Sequence, residues 1–148
     1  MKKFKFKLEP FLKLKKLEEK NKMVELSKVA QEAENQQIEI NNYYEKSGIL
    51  LSEEAIKMRE GIFDLSYQII MQNYFYNMKK RKEIAERKML EIEMRLKKKQ
   101  DEMIIARKNR RVIEIIKEKK WENYCYETGR EEIQLLDEQY NRKKVRLS

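Results

Sequence analysis

Residues 85–113 read AERKMLEIEMRLKKKQDEMIIARKNRRVI and decide the fold. Positions spaced alternately four and three apart in this stretch are mostly apolar, the pattern along which α-helices pack in a coiled coil. Seven of the nine positions are apolar: the full set is Ala85, Met89, Ile92, Leu96, Lys99, Met103, Ala106, Arg110 and Ile113. The stretch therefore predicts a long amphipathic helix that packs against a second helix.

We call such a row of mostly apolar positions on one helix face a seam, and a similar seam occurs earlier in the chain. Six of its seven positions are apolar or aromatic, and the set is Met23, Leu26, Ala30, Ala33, Gln37, Ile40 and Tyr44. Its two small alanines allow a partner helix to approach closely. This seam belongs to a first helix that would pack against the helix containing residues 85–113.

Turn-forming residues are scarce. The 148 residues include 3 Gly and 1 Pro, whereas a strand-rich fold needs a reversal every ten residues or so. So few turns leave room for one or two chain reversals, and we predict an all-α fold. It is a long two-stranded antiparallel coiled-coil hairpin, with residues 1–148 as a single domain.

The reversal is expected near Gly48. Ser47–Gly48 has the composition of a helix end, and Ser52 before two glutamates that of a helix start. With Pro10 in the first helical turn, we predict helix one over about 9–46, a turn over about 47–52 and helix two over about 53–145. Gly61 leaves a later end of the turn open, and Gly129 could weaken helix two.

This geometry predicts an overhang. A turn near residue 50 pairs positions whose numbers add to about 100, and helix one spans roughly 60 Å at about 1.5 Å per residue. Helix one would then cover helix two only to about residue 95. The seam residues beyond it, such as Met103, Ala106 and Ile113, would form an unpartnered apolar stripe, typical of a binding or self-association surface.

Composition argues against catalysis and cofactor binding. The chain has no His and one Cys, Cys125, so the usual general base and a Cys-pair metal site are both missing, and a reducing compartment is indicated. We expect no enzyme activity, metal, cofactor or small-molecule ligand. No window approaches about 18 uncharged apolar residues, and the basic start lacks a signal-peptide core, so we expect a cytoplasmic protein.

The net charge of +9 is concentrated in one block. Residues 79–120 hold 17 basic and 8 acidic side chains. Such a basic helix can attract nucleic acid, anionic lipid or an acidic protein surface. Acidic residues are mixed through the block, however, which is typical of a solvated helix face with internal ion pairs and makes nucleic acid the less favoured partner.

Aromatic residues are concentrated on both sides of the predicted turn. Half of the chain's 14 Phe, Tyr and Trp residues lie between positions 43 and 76. They are Tyr43, Tyr44, Phe63, Tyr67, Tyr74, Phe75 and Tyr76. Two helices bury one stripe each, so we expect some of these rings to be exposed, while the others form a bulky core plug. Exposed tyrosines are common anchors in protein interfaces.

Two stretches resemble a known family. Residues 4–15, FKFKLEPFLKLK, are similar to the opening of the flagellar export protein FliJ, and the residues that follow share its Glu-rich helix. Toward the other end, WENY at 121–124, LDE at 136–138 and RKK at 142–144 resemble the tail of that family. Pro10 and Gly129 depart from the family pattern.

The resemblance implies a stalk-like coiled coil of the flagellar type III protein export apparatus. Members of the family bind the export ATPase, promote its hexameric ring, contact the cytoplasmic part of the export gate and handle export chaperones. They lie in the cytoplasm, peripheral to the inner membrane.

The family's contacts transfer to this chain residue by residue. For the ATPase, the matching positions at the termini are Phe4, Phe6, Leu8, Phe11 and Leu14, with Trp121, Tyr124, Leu136 and Asp137 opposite. For the export gate, the matching positions are Tyr43, Tyr44, Tyr67, Ile70 and Tyr74. We further expect the basic block to meet acidic loops of the ATPase ring through Lys97, Lys98 and Lys99.

Two other interpretations of the residues stay open. The first is a basic coiled coil that binds nucleic acid or a membrane surface, with strongly salt-dependent affinity. The second is a structural homodimer in which helix two pairs with its own copy along residues 85–113.

Overall fold

The computed structural model describes residues 3–62 and 64–147, with side chains through residue 144. It contains two α-helices, α1 over Glu9–Arg59 and α2 over Leu65–Leu147, and no strand among the described residues. The helices pack against each other as a hairpin, which confirms the all-α prediction. Contacts divide the chain into a terminal unit, Met1–Asn21 with Ile104–Ser148, and a turn unit, Lys22–Met103.

The seam predicted on α2 is confirmed. All nine of its positions are buried or half-buried, six of them in the turn unit and three in the terminal unit. In the turn unit the deepest positions recur every seven residues, at Met71, Met78, Ala85 and Ile92. This strict repeat keeps one face of α2 against α1.

The seam predicted on α1 is correct at every second position. Leu26, Ala33 and Ile40 face α2, but the residues predicted between them are exposed: Met23, Ala30, Gln37 and Tyr44. Their preceding neighbours turn inward instead, namely Lys22, Val29, Gln36 and Tyr43. The predicted and the observed sets of inward-facing positions share Leu26, Ala33 and Ile40, so the sequence pattern fits both. Packing favours the observed set, because Val29 buries more apolar area than Ala30 would. Gln36 is also satisfied in this phase, since its Nε2 donates to the Ala85 carbonyl at 3.1 Å.

The predicted turn over 47–52 is wrong, and the reversal lies at residues 60–64. α1 continues through Gly48, where the Ser47 hydroxyl donates to the Tyr43 carbonyl one helical turn back at 2.9 Å. Ser52 makes the same kind of bond, so neither serine caps a helix end. Side-chain bonds of this type let serine lie within a helix, and for that reason its presence is a weak stop signal.

Gly61 ends α1. Its φ of 73° is in the left-handed region, and its N–H donates to the Met58 carbonyl at 3.2 Å while Ile62 N–H donates to the Lys57 carbonyl at 3.2 Å. This pair of bonds is the Schellman motif, in which glycine carries the strained backbone at low cost. The side chain of Asp64 then caps α2 by accepting from Ser66 N–H at 2.9 Å. Phe63 lies outside the described residues.

The later turn removes most of the predicted overhang. In the turn unit, paired positions add to about 125 rather than 100, as the Lys99–Glu25 pair illustrates at 2.8 Å. Leu96 packs beside Val29 and Ile92, and in the terminal unit Ala106 and Ile113 are buried. The prediction of an unpartnered stripe from residue 95 to 113 is therefore wrong. α2 is also continuous through Gly129.

The two glycines give opposite expectations for substitution by alanine. Gly61→Ala should destabilise the protein by about 1 kcal/mol, because alanine is strained at positive φ. Gly48→Ala should stabilise it by a similar amount, because Gly48 is inside α1 and the added methyl group would meet open space. Urea denaturation followed by circular dichroism measures both changes, and a stabilising Gly61→Ala would contradict the observed turn.

Burial separates two isoleucines on α2. Ile92, 2% exposed, packs with Val29 and Ala33, so Ile92→Ala should lower the free energy of unfolding by about 2–4 kcal/mol. Ile84 is 63% exposed, and the same substitution there should change it by less than about 0.5 kcal/mol. Equal effects in urea denaturation would contradict this packing.

Candidate partner-binding surfaces

An aromatic cluster joins the two ends of the terminal unit. The segment before α1 places Phe4 against α2, with its ring centroid 5.0 Å from Trp121 in an edge-to-face arrangement and 5.5 Å from Tyr124. Trp121 and Tyr124 are 5.6 Å apart. Such pairs add to the stabilisation from apolar burial alone. The structure thus brings together three of the residues predicted to contact the ATPase.

The other N-terminal candidates divide into one core residue and three surface residues. Phe6 is buried in a cluster with Leu12 and Ile113, so its ring stabilises the hairpin and presents little area to a partner. The remaining three candidates are exposed: Leu8 in the turn before α1, and Phe11 and Leu14 in the first turns of α1. They are accessible as an apolar surface.

Leu136 and Asp137 lie elsewhere than predicted. They follow Tyr124 by 12 and 13 positions on α2, at least three helical turns beyond the aromatic cluster. All side chains from residue 130 to 144 are exposed, and Leu136 is 63% exposed. We call residues 130–144 the α2 extension. The expectation that these two residues lie opposite the first turns of helix one is wrong, because Glu9 at the start of α1 pairs with Lys117 and Phe4 packs on Trp121 and Tyr124.

The α2 extension carries large apolar side chains among its charges. Ile133, Leu135, Leu136 and Tyr140 are each between 57% and 69% exposed. Large exposed apolar groups spaced three and four apart are typical of a helix face that binds another protein. An unpartnered part of α2 with apolar side chains therefore exists, as the overhang prediction expected, but it begins at residue 130 and not at residue 95.

A ring of four charges interrupts the apolar seam of the turn unit. Lys22 contacts Glu102 at 3.0 Å and Glu25 at 3.4 Å, and Lys99 contacts the same two carboxylates at 3.3 and 2.8 Å. Hydrogen bonds from Lys99 and Lys22 hold the pKa of Glu25 below its usual range, and those from Lys22 and Lys99 do the same for the pKa of Glu102. Each charge therefore has two opposite neighbours.

A second ionic cluster occurs within the terminal unit. Glu19 accepts from Arg107 at 3.1 Å and also from Arg110, which in turn contacts Glu114 at 2.6 Å. Burial raises the pKa of Glu19, but the hydrogen bonds from both arginines outweigh it, so the pKa lies below its usual range. Lys117 similarly pairs with Glu9 at 2.7 Å.

Part of the basic block is therefore paired with glutamates of the same chain. Lys99 is a member of the four-charge ring, and charge reversal there would disrupt the hairpin as well as any partner contact. Lys97 and Lys98 are exposed, and no ion pair involves either within the described part of the chain. Of the three lysines predicted to meet the ATPase, only these two are suitable for an interaction test.

The predicted gate residues form separate groups in the turn unit. Tyr43 and Tyr74 line one open groove of about 200 Å³ together with Met78. The Tyr44 ring is covered by Lys82, whose Nζ is 3.8 Å from the ring centroid. Tyr67 is held near the turn, where its hydroxyl accepts from Lys57 at 2.9 Å. These contacts bring Tyr43 and Tyr74 together.

Ile70, the remaining gate candidate, is 66% exposed. It lies between Tyr67 and Tyr74 in the sequence of α2, one helical turn from each. It is therefore available to a partner without being part of the groove.

Three inward-facing groups were not predicted from the sequence. Leu12 is 2% exposed, Gln36 crosses to the Ala85 carbonyl, and Met78 forms the floor of the Tyr43 groove. The seven-residue spacing of Met71, Met78 and Ala85 is a signal that would have extended the α2 seam toward the turn. Gln36 has no such signal, because its role depends on which carbonyl lies opposite.

The described residues contain no group of three His, Cys, Asp or Glu side chains arranged to hold a metal ion. Cys125 is a free, exposed thiol. No helix among the described residues is long and apolar enough to cross a membrane. Comparison of the chain with protein-family models, curated proteins and solved structures gives no match.

The four-charge ring makes stability depend on pH. Because the pKa of Glu25 and of Glu102 is lower in the folded state, the unfolded chain binds more protons as pH falls below about 4.5, so stability decreases there. The pKa of Lys22 and Lys99 is raised, so their contribution is present at neutral pH and lost only at pH above about 10.5. Urea denaturation should show a plateau between these limits and a decline on the acid side.

A matched pair of variants isolates the ring. The double variant Glu25→Gln, Glu102→Gln should be less stable at pH 7 and should lose less stability than the wild type between about pH 5 and pH 3. The control, Glu122→Gln with Glu131→Gln, makes the same charge change at exposed positions outside the ring. An acid-side decline that is the same in both variants would contradict a role for the ring.

Proposed function

We propose that this protein is a stalk-like component of the flagellar type III protein export apparatus that binds the export ATPase ring and the export gate. It also escorts export chaperones. Its place is the cytoplasmic face of the inner membrane, where it is peripheral through these partners. The proposal joins the resemblance of residues 4–15 and 121–144 to the FliJ family with the surfaces of the helical hairpin.

The observation that carries the proposal is the α2 extension. Every side chain from residue 130 to 144 is exposed, and the segment presents Ile133, Leu136 and Tyr140 on a helix without packing from α1. A protein that binds through its terminal region needs such a helix face, and the aromatic cluster of Phe4, Trp121 and Tyr124 precedes it on the same helix. Together they provide an ATPase-binding end.

A second surface supports binding of the gate. Tyr43 and Tyr74 lie at a groove in the turn unit, and Ile70 is exposed one helical turn before Tyr74. Tyrosine is a frequent interface anchor because it brings a large apolar ring with few rotatable bonds. Two surfaces far apart in the sequence, one with terminal residues and one near the turn, suit a protein with two partners.

The competing interpretations are less favoured. The stripe at residues 85–113 that would form a homodimer is buried within the units that contain it. Part of the basic block that would attract nucleic acid or lipid is paired with glutamates of the same chain, including Lys99, Arg107 and Arg110. Internal pairing weakens a field that non-specific phosphate binding requires.

The test is direct binding to the export ATPase of the source organism. Leu136→Asp should weaken binding about tenfold or more, because it places a charge in the apolar centre of the proposed contact. Leu90→Asp is the matched control, since Leu90 is similarly exposed (61%, against 63% for Leu136) and lies on the other unit's part of α2. Affinity is measured by titration calorimetry, with circular dichroism to verify equal helicity.

Three results would contradict the proposal. The first is failure of the wild-type protein to bind the ATPase, and the second is equal affinity of the Leu136→Asp and Leu90→Asp variants for it. The third is tighter binding of nucleic acid than of the ATPase at physiological salt. A pull-down that recovers ATPase and the cytoplasmic part of the gate, and loses the ATPase alone with Leu136→Asp, would support separate surfaces for the two partners.

A further inference from the structure

Two open grooves lie on either side of Tyr43 in the turn unit. One, of about 200 Å³, is lined by Tyr43, Lys46, Tyr74, Asn77, Met78 and Arg81. The other, of about 250 Å³, is lined by Tyr43, Ser47, Phe75, Met78, Lys79 and Lys82. Both therefore share Tyr43 and the buried Met78. Each combines an apolar floor with two cations, and no carboxylate is among the described residues that line either groove.

The cations at these grooves differ from the α2 cations that bridge to α1. Four cations of α2 each form a close ion pair with a glutamate of α1: Arg95, Lys99, Arg110 and Lys117. Among the described residues, by contrast, no carboxylate pairs with Lys46, Lys79 or Arg81, and Lys82 reaches Glu86 only at 3.9 Å. Three of the four groove cations thus have no carboxylate partner among the described residues, and the nearby Glu39 accepts from the Tyr43 hydroxyl at 3.4 Å.

The size of the grooves limits what they can take. Volumes of 200–250 Å³ are smaller than the sites that enclose a cofactor, which occupy about 300–1,000 Å³. They are large enough for one or two side chains. An apolar side chain of a bound partner that packs against Met78 would be removed from water. Anionic groups next to it in the partner would contact Lys46 and Arg81 in one groove or Lys79 and Lys82 in the other.

We propose that the Tyr43 grooves bind an acidic peptide segment of a partner protein, in which an aromatic or aliphatic side chain is flanked by carboxylates. A phosphate backbone would match the cations but leave the apolar floor uncovered. The proposal deepens the gate contact of the proposed function. It rests on that function for the identity of the partner, while the charge and apolar character of the grooves carry the chemistry of the bound segment.

The probe is a fluorescein-labelled random copolymer of glutamate and tyrosine, titrated with the full-length protein at low and physiological salt. Polyglutamate tests the charge without the ring, and single-stranded DNA tests a phosphate backbone. The double variant Lys46→Glu, Arg81→Glu changes the groove, and Lys20→Glu, Lys28→Glu makes the same net charge change at exposed lysines of α1 outside both grooves. Fluorescence anisotropy gives the affinities, and circular dichroism verifies that each variant is folded.

We expect the copolymer to bind more tightly than polyglutamate, and the groove variant to weaken copolymer binding by about tenfold or more. The control variant should weaken it less than about threefold. Equal losses in the two variants, equal binding of copolymer and polyglutamate, or tighter binding of DNA would each overturn the proposal. The test of the proposed function measures ATPase binding by the Leu136→Asp variant, whereas this test measures copolymer binding by the groove variant. Failure of one proposal can therefore be distinguished from failure of the other.

Discussion

The left-handed backbone at Gly61 determines which residues of the two helices meet in the turn unit. Its Schellman bonds end α1 at Arg59, and the Asp64 cap begins α2 only a few residues later. A connection this short leaves little freedom in register, so Lys99 reaches Glu25 and Gln36 reaches the Ala85 carbonyl. The same register places Tyr43 of α1 beside Met78 of α2, and the cations of the Tyr43 grooves lie around this pair.

Charges in the seam reinforce that register. If α2 moved along α1 by one heptad, Lys99 would take the place of Ile92 between Val29 and Ala33. A lysine there would be buried without a carboxylate, at a cost of several kcal/mol, and the apolar cluster would lose its central residue. The half-buried four-charge ring adds modestly to stability, and it also makes the alternative pairings unfavourable.

The sequence predicts this fold unevenly. The α2 seam is predictable because nine positions follow one uninterrupted phase, whereas on α1 two phases share Leu26, Ala33 and Ile40 and only packing separates them. Ser47–Gly48 has the composition of a helix end, but a glycine becomes a stop only where the backbone needs positive φ, as at Gly61. The aromatic cluster combines candidates from both termini, while the Tyr43 grooves depend on a register that no local pattern specifies.

The α2 extension has a consequence for dynamics. Its backbone hydrogen bonds are supported by helix propensity and by weak exposed pairs such as Arg142–Glu138 at 3.7 Å, without tertiary packing. A helical segment of this length is only marginally stable by itself in water, so its amides should exchange hydrogen far faster than those beneath the aromatic cluster. A partner that binds at Leu136 would then suppress the local unfolding of the α2 extension. Part of the binding free energy would be offset by the cost of ordering the helix. The affinity of a partner that binds this end of the chain would accordingly be moderate and readily reversible.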